Sequence, residues 1–203
     1  MIPAFGRSLL PPDLMIATRV LVAALVAFSF RSGITSRAVA APPTVVLLVR
    51  HAEKAAQPPQ DPPLSDAGSA RAQALLAVAR DAGVTAIITT QYERTRKTAE
   101  PTAVALHVTP EVVDAGPLAQ HAKAVADRIL AHAGGTVLVV GHSNTVPAIV
   151  EALGAPKPRD ICDSEYDQLF VVVLGDAGPP RVIRSRFGAA SAADPACAAM
   201  QSR

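Results

Sequence analysis

The sequence predicts an α/β protein: three layers, α/β/α, around a mostly parallel central sheet that ends in a C-terminal edge hairpin. Three observations predict it. Val45-Val46-Leu47-Leu48-Val49 and Thr136-Val137-Leu138-Val139-Val140 are unbroken aliphatic runs, the pattern of strands buried on both faces of a parallel sheet. Segments of helical periodicity alternate with the strand-like runs, which puts helices on both faces of that sheet. Finally, Leu169–Leu174 and Arg181–Arg184 flank a Gly/Pro turn and read as a hairpin on the sheet edge.

The elements follow in order. Residues 1–40 read as an export signal that precedes the fold. Arg19 leads into an eleven-residue apolar block, Val20 to Phe30, and Ala38-Val39-Ala40 supplies a small-x-small cleavage site after Ala40. The block is short for a membrane span. This reading places the chain in the periplasm or the exterior, with membrane contact only through the signal; an uncleaved anchor and a chance apolar tract are the alternatives. After the first strand, Pro58-Pro59 and Pro62-Pro63 mark an extended loop that can overhang the strand ends. Ser65 caps a helix whose apolar stripe is Ala72, Leu75, Leu76 and Ala79, and Gly83 stops it. Val84 to Thr89 is a second buried strand. A helix is expected within Tyr92–Leu106, where Pro101 should break it or begin a new one. Leu118, Ala122, Val125 and Ile129 recur at helical spacing, and Gly134-Gly135 ends that helix. Val146, Ile149, Val150 and Leu153 form a short amphipathic helix with Pro147 in its first turn. Residues 41–188 thus form one domain, and the small, polar residues 189–203 read as a flexible tail.

Composition narrows the function classes. With 203 residues, 50% of them hydrophobic, the chain can bury one good core. Residues 1–40 carry four arginines and one aspartate; the remaining 15 bases and 16 acids leave the body at a net charge of −1. No global basic field is available for nucleic acid, and aromatics at 3% provide no stacking platform. Cys162 and Cys197 read as one disulfide pinning the tail to the loop at 155–165, with two separate thiols as the alternative.

The strand ends carry the chemistry. In open α/β sheets, ligands bind at the carboxyl ends of the strands. There the first run delivers Arg50-His51-Ala52-Glu53-Lys54, and the later one delivers Gly141-His142-Ser143-Asn144. A neutral imidazole can attack phosphorus and hold it as a phosphoramidate. The three non-bridging oxygens then need fixed cationic donors, and the planar fork of arginine suits them. Free amides at the helix start after His142 also favour an anion. Other residues have plainer readings: Ser143 and Asn144 as a helix cap, His107, His121 and His132 as surface residues, and Arg181, Arg184 and Arg186 as exposed charge on an edge strand.

Leu48–Lys54, Thr89–Ala99 and Val140–Asn144 together resemble the signatures of the histidine phosphatase superfamily, in its phosphoglycerate-mutase-like branch 1, over roughly residues 44–187. The resemblance implies the three-layer fold, His51 as the phosphorylated nucleophile, and a phosphate pocket of Arg50, Arg94 and His142. It also implies that neither a metal nor an organic cofactor is needed. Ala52 stands where many relatives have glycine, and Thr89-Thr90 replaces a serine-rich strand end. The proton donor is open among Glu53, ranked first as a catalytic residue, then Asp61 on the proline-rich loop, then Asp114. The leading expectation is an exported phosphatase acting on a phosphorylated small molecule. A phosphomutase and a non-catalytic phospholigand-binding envelope protein are the alternatives.

Overall fold

The computed structural model describes residues 41–175, 178–192, 194, 195 and 197. The segment read as an export signal, residues 1–40, and tail residues 193, 196 and 198–203 lie outside the described residues. Among the described residues the order is β1 (Thr44–Arg50), α1 (Asp66–Asp81), β2 (Ala86–Thr89), α2 (Glu93–Leu106), β3 (Glu111–Val112), α3 (Leu118–Leu130), β4 (Thr136–Gly141), α4 (Thr145–Ala152), β5 (Gln168–Leu174) and β6 (Arg181–Arg186). One sheet runs β3-β2-β4-β1-β5-β6. The first four strands are mutually parallel, and β5 and β6 are antiparallel, so the expected edge hairpin is present.

The aliphatic runs become the two central strands because each must be covered on both faces. Val46, Leu48, Val137 and Val139 face α3 and α4, where they meet Val125, Ile129, Val146 and Ile149. Leu47, Val49, Leu138 and Val140 face α1 and α2, where they meet Leu75, Ala79 and Ala99. Phe170 of β5 is 2% exposed and closes the first cluster. At roughly 2–5 kcal/mol for truncating any one buried Leu or Ile, these two clusters dominate the stability of the sheet.

Register then fixes the site. Val45↔Thr136 through Arg50↔Gly141 pair in parallel, and His51 N–H donates to the Gly141 carbonyl at 2.9 Å. The Arg50-His51 and Gly141-His142 pairs therefore lie side by side, about 4.8 Å apart across the ladder. The chain beyond His51 forms the proline-rich loop. A bridge between Lys54 and Leu64, with Ala55 N–H donating to the Pro63 carbonyl at 2.8 Å, closes it at the base.

Three local readings differ from expectation. Pro101 neither breaks nor starts a helix: α2 is continuous from Glu93 to Leu106. Only the Lys97 carbonyl loses its partner there, and Lys97 is exposed, so water can satisfy that carbonyl while Thr95, Thr98, Ala99 and Thr102 hold the buried face. His107 closes α2 in the left-handed region at φ 54°, a conformation with no sequence signal here. The two-residue strand β3 was not anticipated; Glu111–Val112 is too short for an alternation pattern.

Candidate active site

Arg50, His51 and His142 reach the site from strand ends, and Arg94 from the first turn of α2. Arg50 is 6% exposed, and its guanidinium stacks 4.2 Å from the Tyr166 ring centre. Its Nη1 donates to the carbonyls of Cys162 (2.8 Å), Asp163 (2.9 Å) and Glu165 (3.0 Å). With only two hydrogens for three acceptors, Nη1 is fully engaged. The opposite edge is different: Nε is buried with no partner among the described residues. Burial lowers the Arg50 pKa, opposed by Tyr166, Asp163 and Glu53. An arginine nevertheless stays charged at physiological pH. The result is a fixed cation whose Nε lacks a partner among the described residues, while Nη2 lies 3.5 Å from the Tyr166 hydroxyl and 3.7 Å from Asp163.

His51 is 5% exposed, and its Nδ1 lies 2.8 Å from the Ala52 carbonyl. A carbonyl only accepts, so Nδ1 carries the hydrogen and Nε2 keeps its lone pair in the neutral ring. Burial pushes the His51 pKa down to about 3; the Ala52 bond opposes this, and Arg50, His142 and Arg94 reinforce it. At neutral pH the ring is an uncharged nucleophile with its reactive nitrogen preset. Ala52 N–H in turn donates to Thr98 Oγ1 at 2.9 Å, and that hydroxyl donates to the Arg94 carbonyl at 2.7 Å. Helix α2 thereby ties the histidine segment to the arginine segment.

His142 follows the close turn at Gly141, where a Cβ would sit 2.8 Å from Thr145 Oγ1. That hydroxyl accepts from His142 N–H at 2.8 Å. Thr145, rather than Asn144, therefore satisfies this end: Asn144 occupies the cap position of α4 without a side-chain cap bond. The His142 ring stands edge-on to His51, centres 5.5 Å apart, and Thr90 Oγ1 lies 3.3 Å from its Nε2. Burial lowers its pKa to about 4, helped by Arg94, His121 and Arg50. Arg94 packs 4.2 Å over Tyr92, whose ring is in turn edge-on to His142 at 5.5 Å. His51 and His142 thus face each other at the carboxyl ends of β1 and β4, with Tyr92 and Arg94 stacked beside His142.

The three carboxylates separate clearly. Glu53 is fastened to Arg71: Arg71 Nε donates to both carboxylate oxygens at 3.0 Å, and Nη2 donates to Oε1 at 2.7 Å. Burial alone would raise the Glu53 pKa, but the Arg71 hydrogen bonds and charge outweigh it and hold the group below its ordinary value. An ionised carboxylate locked in a bidentate pair has no proton to give, which weighs against Glu53 as the donor. Asp61 accepts from Glu93 N–H at 2.9 and 3.0 Å, capping α2 from the proline-rich loop, and approaches Arg94 Nη1 at 3.6 Å. Asp114 has an exposed side chain, and only its carbonyl is engaged, by His121 Nδ1 at 3.1 Å.

His121 corrects an expectation. It is 4% exposed, not a surface residue, and its Nε2 has no partner among the described residues. It lies in the first turn of α3, where the apolar stripe at 118, 122 and 125 concealed it. Arg71, Thr98 and Tyr166 also escaped sequence reading. Arg71 sits one place before Ala72 in the helix stripe and offered a faint signal; Thr98 lay within the Thr89–Ala99 motif without a role of its own, and nothing marked Tyr166. Cys162 and Cys197 form a disulfide. Among the described residues, the cluster suited to a soft metal, Cys162, Glu165 and Cys197, has both sulfurs in that bond.

The family model of the histidine phosphatase superfamily (branch 1) matches residues 46–116. That match spans about a third of the chain, and solved structures agree with it in fold. The structure is similar to that of the protein histidine phosphatase SixA complexed with tungstate, at 17% identity and TM-score 0.54, covering 70% of this chain and 96% of that one. It is also similar to a phosphoglycerate mutase from Bacillus anthracis (16% identity, TM-score 0.54, covering 71% and 93%). A phosphoserine phosphatase from Entamoeba histolytica, complexed with 3-phosphoglyceric acid, matches at 13% identity and TM-score 0.53, covering 72% and 97%. No curated protein sequence matches the chain. The fold is thus shared with phosphatases and a mutase alike.

Proposed function

We propose that this protein belongs to the histidine phosphatase superfamily and is an exported phosphatase that hydrolyses phosphomonoesters through phospho-His51. The observation that carries the reading is the pairing of two preset groups: the bare Nε2 of a neutral His51, and the unpartnered Nε of an Arg50 whose Nη1 is saturated. His51 Nε2 attacks phosphorus, and the bond to the ester oxygen breaks. Arg50, Arg94 and His142 hold the three non-bridging oxygens as charge spreads over them. Water then cleaves the phosphorus–nitrogen bond, returning His51 and releasing inorganic phosphate.

With Glu53 bound to Arg71, Asp61 takes the role of proton donor in this scheme. Its position on the proline-rich loop, which brings it to the start of α2 at the site, supports that choice. Export rests on the residue 1–40 signal pattern, and the substrate is a phosphorylated small molecule. The mutase reading requires the phosphoryl group to return to a second position of the substrate, and no observation favours it over transfer to water.

Turnover of an aryl phosphate by His51→Ala decides the matter. Activity should vanish while the variant melts as the native protein does, and labelled phosphate should be trapped on the native chain at low pH. Undiminished turnover in His51→Ala overturns the proposal; transfer of the label to an acceptor instead of water makes the protein a mutase.

A further inference from the structure

We propose that Ser191 and the Cys162–Cys197 disulfide are positioning groups for Arg50, setting the affinity of the site for phosphate; this rests on the phosphatase reading above. The three carbonyls that hold Arg50 Nη1 belong to Cys162, Asp163 and Glu165, all within one short loop between α4 and β5. That loop has little regular structure of its own. One turn bond, from Glu165 N–H to the Cys162 carbonyl at 2.9 Å, folds it back, and Glu165 Oε2 accepts from Cys162 N–H at 3.2 Å.

What fixes the loop from outside is the C-terminal chain. Cys197 is bonded to Cys162, the first of the three residues whose carbonyls accept from Arg50. Ser191 Oγ accepts from Tyr166 N–H at 2.8 Å and Asp167 N–H at 3.2 Å, and Ser191 N–H donates to Asp167 Oδ2 at 3.2 Å. Tyr166 is the residue whose ring stacks on the Arg50 guanidinium. The loop is therefore held at both ends, at residue 162 covalently and at 166–167 by Ser191, with the carbonyl cage between. Orientation is what matters. Because Nη1 is pulled into the cage, the Nε edge has only one direction to face.

A disulfide closing 35 residues also stabilises the fold by restricting the unfolded chain. That effect changes how much protein is folded. It leaves the affinity of the folded fraction untouched, and the positioning role does not.

The test measures binding of inorganic phosphate by calorimetry to the native chain, Cys197→Ser, the double variant Cys162→Ser/Cys197→Ser, and Arg50→Met. Losing the orientation of one charged donor edge should weaken phosphate about tenfold in both cysteine variants. In the Arg50→Met background, removing the disulfide should change affinity no further, because the coupling runs through that side chain. Equal affinity with and without the disulfide overturns the positioning role while leaving the phosphatase reading intact. An equal loss in the Arg50→Met background also overturns it. If the native chain fails to bind phosphate, the phosphatase reading falls and this proposal with it. Should the cysteine variants not fold, Ser191→Ala, which keeps the disulfide, is measured in their place, and unchanged affinity there overturns the proposal.

Discussion

A buried imidazole beside two arginines resists protonation, and this sets the working range of the site. The neutral forms of His51 and His142 persist down to pH values near 3 and 4, against an ordinary histidine value near 6.5. Histidine NMR should show both rings titrating well below pH 5; a midpoint near 6.5 for either would contradict the environment described. Glu53 gives a second prediction. Glu53→Gln leaves the nearly buried Arg71 without its charge partner and should lower stability by roughly 2–4 kcal/mol in urea unfolding. At the same time, turnover of an aryl phosphate should fall less than tenfold. Lost turnover with unchanged stability would return the donor role to Glu53. Asp61→Asn should do the opposite, slowing alkyl phosphates more than aryl phosphates, since the poorer leaving group needs the proton more. At this scale the sequence identified Arg50, His51, Arg94 and His142 as neighbours, because each follows a recognisable strand end or motif. It was silent on the backbone carbonyls around Arg50, since a carbonyl belongs to every residue and leaves no trace in composition. The Arg71–Glu53 pair was equally hidden, joining positions 18 apart that only the packing of α1 brings together.

At the scale of elements, α1 is set against the chain just past the nucleophile with no space to spare. A Cβ on Gly68 would fall inside the Glu53 carbonyl, and that same carbonyl accepts Ser65 N–H at 2.9 Å. Gly68→Ala should therefore shift the His51–Glu53 segment. We expect a loss of about 1–3 kcal/mol in thermal unfolding together with reduced kcat, whereas Gly116→Ala, where nothing lies within 4 Å, should be silent. Equal behaviour of the two would show that α1 yields freely. The strands and helices were mostly legible from periodicity, since burial on two faces leaves unbroken aliphatic runs and burial on one leaves a stripe. Pro101 and β3 were not. A proline rule speaks of local hydrogen bonds, and the buried threonine and alanine face of α2 outweighs one lost bond at an exposed turn. Strand β3 owes its existence to pairing with β2, which no local pattern of two residues reveals.

For the whole molecule, the same titrations link acidity to folding. Both histidine pKa values are depressed in the folded state, so between pH 6.5 and about 4 the unfolded chain binds protons that the folded chain refuses. Stability is fully present above pH 6.5 and is lost as pH falls, by roughly 1 kcal/mol per pH unit from each ring. Glu53 and Asp167, also depressed, extend the decline into more acidic solution. Urea midpoints should fall steadily from pH 7 to pH 4, and a flat profile would contradict this. Export predicts a mature chain beginning at Ala41 in the periplasmic or extracellular fraction, read by N-terminal sequencing; an intact cytoplasmic chain would refute it. One further consequence follows from the Lys54–Leu64 bridge. It ties off the proline-rich excursion at its root, like a purse string, so lengthening or exchanging residues 56–62 need not disturb the imidazoles below. Asp61 is the exception, as the carboxylate that reaches down to α2 and Arg94. The excursion thus behaves as a module about seven residues long that can be exchanged as a unit, provided an acidic side chain is kept near its end.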